Sequence, residues 1–127
     1  MKLSEYFEKT KGRGVIAVGD SGGKTAIAVY AKPHFINDRA VAFIMADRLI
    51  HKNLELSPHA AYLFMESKER YAGKRLYLTK MKEEENSELI DKVRRKNVCP
   101  VDKGYKNGKR FLVYFKIDKV LPLIGVK

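Results

Sequence analysis

The chain has 127 residues, 45% hydrophobic and 32% charged, with 26 Lys plus Arg against 15 Asp plus Glu and a formal net charge of +11. That length and composition suit one domain with a buried core, expected over residues 1–127, and set aside intrinsic disorder. The apolar runs 41–46 and 60–65 fall far short of the roughly 20 residues of a membrane span. The polar start Met1-Lys2-Leu3-Ser4-Glu5-Tyr6 has no apolar signal core, so a cytoplasmic protein is expected.

Leu3 and Phe7, set among polar residues, predict a short amphipathic helix with Ser4 as its N-cap and Gly12 and Gly14 ending it. Residues 15–18 and 25–31 read as a hairpin joined by Gly19-Asp20-Ser21-Gly22-Gly23. That glycine-rich turn lacks the spacing of a phosphate loop and precedes a strand, not a helix. Pro33 cannot donate to a ladder, so the second strand should bulge or become an edge near Lys32-Pro33-His34. Asn37-Asp38-Arg39 then turns the chain into a third strand over 40–46. Asp47 opens a helix carrying Leu49, Ile50, Leu54 and Leu56, which Ser57-Pro58 stops. Residues 59–65 read as a strand buried on both faces, and 74–81 as an alternating strand with one wet face. Ser87 is the expected N-cap of an amphipathic helix through Leu89, Ile90 and Val93, acidic at its start and basic at Arg94-Arg95-Lys96. A polar loop containing Cys99 leads to a last strand over 110–120. Six strands with inserted helices favour an antiparallel barrel over a parallel doubly wound sheet.

Chemistry concentrates where the third strand meets the next helix. Unpaired N–H groups at a helix start attract anions, and Arg48 and Lys52, four apart, share a helical face beside His51. Arg can grip two phosphate oxygens and Lys adds a point charge, so a phosphate suits this segment. Spacing alone fits an ordinary exposed basic turn better. His34 reads either as a loop imidazole or as the neighbour of backbone groups freed for a planar ligand. The three histidines share no metal-ligand spacing and the lone Cys99 has no second cysteine, so no metal site and no internal disulfide are expected. The nucleophile elbow G-x-S-x-G does not occur, which speaks against a serine hydrolase.

Val29-Tyr30-Ala31-Lys32-Pro33-His34-Phe35, the segment 46–53, Asn53-Leu54 followed by Ser57-Pro58 and the strand 60–64, and Phe111-Leu112-Val113-Tyr114-Phe115-Lys116-Ile117 with Pro122-Leu123 form one ordered pattern. Over nearly its whole length the chain resembles the pyridoxamine 5'-phosphate oxidase-like family, the FMN-binding split barrels. The resemblance implies a mainly β fold, a six-stranded antiparallel split β-barrel with a few short helices. It also implies a homodimer holding FMN at its interface, with the phosphate on Arg48, His51 and Lys52. The isoalloxazine would lie along the backbone of Ala31, Lys32, Pro33 and His34, and the ribityl chain along Met45, Ala46 and Asp47. The partner's strand bearing Lys74, Arg75 and Tyr77 would add contacts. The implied function is that of an oxidoreductase or electron carrier for a small substrate, in which the flavin carries the chemistry and no catalytic residue is named.

Two departures bear on this. Ile50 stands where relatives often carry Ser, Thr or Lys, and the chain has no Trp and no C-terminal Arg- and Trp-containing segment, which argues against vitamin B6 oxidation. Relatives on the same barrel bind haem or deazaflavin, with His34, His51 and His59 as candidate axial ligands here. From a different class, a basic nucleic-acid-binding barrel without cofactor would explain the charge, with Tyr62, Tyr77, Tyr105 or Phe111 stacking on bases. It leaves the strand-to-helix segment without a role.

Overall fold

In most strands every second side chain turns inward, while the all-apolar β4 is buried on both faces over most of its length, and the strands assemble into a single antiparallel sheet. The computed structural model describes residues 2–85, 87–96 and 109–125. Its elements are α1 (Leu3–Lys9), β1 (Gly12–Gly19), β2 (Thr25–Tyr30), β3 (His34–Asn37), β4 (Ala40–Ala46), α2 (Leu49–Leu56), β5 (His59–Glu66), β6 (Gly73–Glu84), α3 (Ser87–Lys96) and β7 (Arg110–Pro122). The strand order is β2-β1-β5-β6-β7-β4-β3.

The expected six strands are seven. Pro33 has no N–H and cannot continue a ladder, so β2 ends at Tyr30 and the chain resumes as β3, which pairs with β4 instead. Of the bulge or edge expected near Lys32-Pro33-His34, the edge is what forms: β2 is an outer strand, and the chain breaks there before β3. β2 and β3 are the two opposite edges of the sheet, yet only Ala31, Lys32 and Pro33 lie between them. The four steps from Tyr30 to His34 reach at most about 14 Å, so the sheet curls until its edges come together at this corner. No ladder joins β2 to β3, and the barrel is split, not closed.

The interior holds Phe7 of α1 with Ile16, Val18, Val41, Phe43, Met45, Tyr62, Phe64, Leu76, Leu78, Val113 and Phe115. A second cluster lies outside the barrel, where Ile90 and Val93 of α3 pack on Ala42 of β4 and Leu112 of β7. Strand β5 departs from the expected two-sided burial. Ala60, Tyr62 and Phe64 are buried, Ala61 and Leu63 half-buried, and Met65 exposed, because α3 covers β4 and β7 but not β5.

The first helix begins at Leu3 with Lys2 at its N-cap and no side-chain cap, so Ser4 lies inside it. Leu3 packs against the core, which favours the earlier start. Gly12 and Gly14 do not end the helix, which stops at Thr10; they belong to β1. The helix expected from Asp47 begins at Leu49. Ser87 opens α3, and the loop with Cys99 and Tyr105 lies outside the described residues.

Candidate functional site at the split edge and the β4–α2 junction

Strand β3 pairs with β4 only as far as Ala42. Beyond it, Phe43, Ile44, Met45 and Ala46 pair with β7 on one side and, among the described residues, have no strand partner on the other. The split therefore leaves a stretch of β4 backbone free of a ladder, and it runs straight into α2. Helix α2 packs against β1, β2 and β4, at the end of the barrel where the edges part. Ile50 and Leu54 enter the core, and buried Asn53 donates from Nδ2 to the Val18 carbonyl at 2.9 Å.

Arg48 is the N-cap of α2, in extended conformation, with no side-chain cap and no acidic residue in the first turn. The first helical hydrogen bond runs from Lys52 N–H to the Arg48 carbonyl at 2.9 Å. The amides of Leu49, Ile50 and His51 precede it and have no intrahelical acceptor. Arg48 and Lys52 are exposed on consecutive turns. This is a basic, uncapped helix start, the arrangement that suits a phosphate.

The His51 side chain turns the other way. It is 2% exposed, stacked on Phe111 with ring centres 4.0 Å apart. Its Nε2 lies 3.0 and 3.1 Å from the two Glu83 oxygens. Burial alone would raise the Glu83 carboxyl, but hydrogen bonds from Lys80 and His51 outweigh it and hold the group below its ordinary value. Sequence reading missed Glu83 as a partner, since it lies 32 residues from His51 and no local spacing links the two.

A second feature lies at the β2–β3 corner. A cavity of about 600 Å³ is lined by Ser4, Phe7 and Glu8 of α1 and by Lys32, Pro33, His34 and Phe35, a size within the range of small-molecule sites. The Lys32 ammonium donates to the Phe7 and Thr10 carbonyls at 2.7 and 3.2 Å, capping the C-terminal end of α1. The Tyr62 hydroxyl donates to the Ala31 carbonyl at 3.1 Å. Lys32, Pro33 and His34 are thus gathered at the cavity with Ala31 next to it, while Asp47, Arg48, His51 and Lys52 are gathered at the junction. Met45 and Ala46 lie on the unpaired edge leading to that junction, and the Met45 side chain is buried in the core. Among the described residues no cluster of three His, Cys, Asp or Glu is arranged to hold a metal ion. None of the described helices is long and apolar enough to cross a membrane.

No protein-family model and no curated protein matches the chain. Solved structures do. An FMN-binding protein from Syntrophomonas wolfei subsp. wolfei superposes with a TM-score of 0.73 at 21% identity, covering 99% of this chain and 86% of that one. An F420 reductase gives 0.74 at 10% identity over 92% and 94%. HutZ, the haem storage protein of Vibrio cholerae, gives 0.60 at 15% identity over 96% and 95%. The fold is that of the pyridoxamine 5'-phosphate oxidase-like split barrels. At these identities the likeness speaks for the fold, and the cofactors named for the three proteins differ.

Proposed function

We propose that this chain, as one domain over residues 1–127, is an FMN-binding split-barrel flavoprotein of the cytoplasm that works as a homodimer. The carrying observation is the uncapped α2 N-terminus, with Arg48 and Lys52 on its rim and no acidic residue in its first turn. The phosphate would be held by these two side chains and by the amides of the first turn, that of His51 included. The unpaired edge at Met45 and Ala46, continuing to Asp47, offers backbone groups to the ribityl chain. The ladder-free backbone of Ala31, Lys32 and Pro33, with His34 at the cavity, offers a site for the isoalloxazine. Bound FMN supplies electron transfer, and the protein serves as an oxidoreductase or electron carrier for a small substrate. The chain's own part is to bind, orient and shield the ring.

Two side-chain placements favour FMN over the other readings. His51 is committed to Glu83 and Phe111 inside the protein, which removes one of the three candidate haem ligands. Of the aromatics available for base stacking, Tyr62 is buried in the core and Phe111 is stacked on His51, which weakens the nucleic-acid reading.

An absorption spectrum of the purified protein, followed by denaturation and identification of the released small molecule, tests the proposal. Flavin bands and released FMN are expected. A Soret band would transfer the site to haem. A colourless protein that refuses added FMN and binds oligonucleotides with steep salt dependence would overturn the reading. Lys52→Glu should weaken FMN binding by about 10-fold or more, the worth of a charge-assisted hydrogen bond. An unchanged affinity would remove Lys52 from the site.

A further inference from the structure

The His51 ring has two nitrogens and three carboxylates around it. Nε2 meets Glu83 of β6, while Nδ1 is buried without a hydrogen-bond partner. Nδ1 stands 3.7 Å from the carboxylates of Asp47, in the turn before α2, and of Glu55, one turn further along it. Behind Glu83 lies the Lys80 ammonium at 2.6 Å. Strand β7 contributes the neutral Phe111 ring. Carboxylates only accept hydrogen bonds. A neutral imidazole that donates through Nε2 turns the Nδ1 lone pair toward two of them, whereas an imidazolium presents a donor to both sides.

Asp47, His51 and Glu55 follow one another at i, i+4 and i+8, one residue away from Arg48 and Lys52. With His51 neutral, that stripe sets two negative charges beside the basic pair. With His51 protonated, it carries an added positive charge and ties the turn before α2 to Glu83.

We infer that His51 is the positioning residue of the anion site, coupling its own protonation to the affinity of the α2 N-terminus for a phosphate-bearing ligand. The inference rests on the phosphate site proposed above. Affinity rises as His51 takes up its proton, because repulsion from Asp47 and Glu55 is offset and the helix start is held in place. Because the ring is turned away from the helix start, a gain of about 2-fold is expected, as for one unit charge acting through water over about 10 Å.

The test is FMN binding followed by fluorescence between about pH 5.5 and about pH 8.5, the range in which a histidine changes charge, for wild type and His51→Gln. The phosphate of FMN itself titrates near pH 6, so the quantity read is the ratio of the two affinities at each pH, in which ligand ionisation cancels. That ratio should climb about 2-fold toward low pH and follow the His51 ring resonance. A constant ratio would leave His51 a packing residue only and overturn the inference. A second measurement needs neither ligand nor variant: the amide resonances of Leu49, Ile50 and Lys52 should titrate with the midpoint of the His51 ring. If they stay fixed while the ring titrates, or if the ring does not titrate, the coupling is absent. A protein that binds no FMN at any pH would end the flavin reading, and the amide titration would still decide the role of His51.

Discussion

Tyr62 joins three parts of the molecule through one side chain. Its ring packs between Phe7 and Phe43, and its hydroxyl reaches the Ala31 carbonyl at the β2–β3 corner. Burial pushes the phenol above its ordinary range, so it remains a neutral donor. Space for it exists because residue 14 is glycine: a Cβ there would collide with the hydroxyl oxygen. Gly14→Ala should therefore cost about 1–3 kcal/mol, as overpacking does, read as a lower urea midpoint. Tyr62→Phe should cost about 1 kcal/mol by leaving the Ala31 carbonyl unpaired; a midpoint equal to wild type would show that the corner is held by packing alone. At this scale, legibility follows distance along the chain. Arg48 and Lys52 are neighbours in sequence and on one helix, so their pairing could be read directly. Gly14 with Tyr62, and His51 with Glu83, meet only after the sheet has formed. Local spacing therefore places Gly14 at a helix end and gives no sign of the Glu83 contact.

Helix α2 is the element on which the candidate site depends, and it is anchored from two sides. Asn53 reaches the Val18 carbonyl on β1, and His51 reaches Glu83 on β6. Asn53→Ala should cost about 1–3 kcal/mol, since the Val18 carbonyl would lose a buried donor, and thermal or urea unfolding would show it. The Glu83 contact carries a pH signature. Its folded value lies below the ordinary 4.5. Both folded and unfolded forms are ionised well above that value, and there the contact contributes fully. Its contribution fades as pH falls from the ordinary carboxylate range through the lower folded value. Urea midpoints of wild type and Glu83→Gln should thus differ at neutral pH and converge as the pH drops below about 4; a difference that stays constant would deny Glu83 its role. Element types and order were legible because strand alternation and the helix-stopping Ser57-Pro58 are local signals. The seventh strand was not, since Pro33 announces an interruption but not that the chain has crossed to the far edge of the sheet. The uneven covering of β5 depends on where α3 lands, which its own sequence does not state.

At the scale of the whole molecule, the outer face of β2, β1, β5 and β6 is the surface that nothing among the described residues covers. Paired residues share a face of the sheet, and the register sets Val29 beside Val15 beside Leu63, and Ile27 beside Ala17 beside Ala61 beside Tyr77. Ile27 is 72% and Val29 58% exposed. A contiguous apolar face of this kind marks an interaction surface. The proposed homodimer gives it an occupant of identical chemistry, since a two-fold interface sets one patch against itself. Two copies each carrying +11 repel one another, so the association must come from apolar burial and should strengthen as salt screens the charge. Wild type should therefore sediment at twice the 14.6 kDa chain mass, more firmly at higher ionic strength. Ile27→Lys places a charge on the face without entering the core. It should give a monomer whose unfolding free energy, measured at the same low concentration, stays within about 0.5 kcal/mol of wild-type monomer, as for other surface substitutions. If Ile27→Lys sediments as wild type does, this face is not the interface. A flavin lost together with the dimer would place the cofactor at the contact between copies, whereas a monomer that keeps FMN would place it wholly within the β4–α2 junction and the corner cavity of one chain.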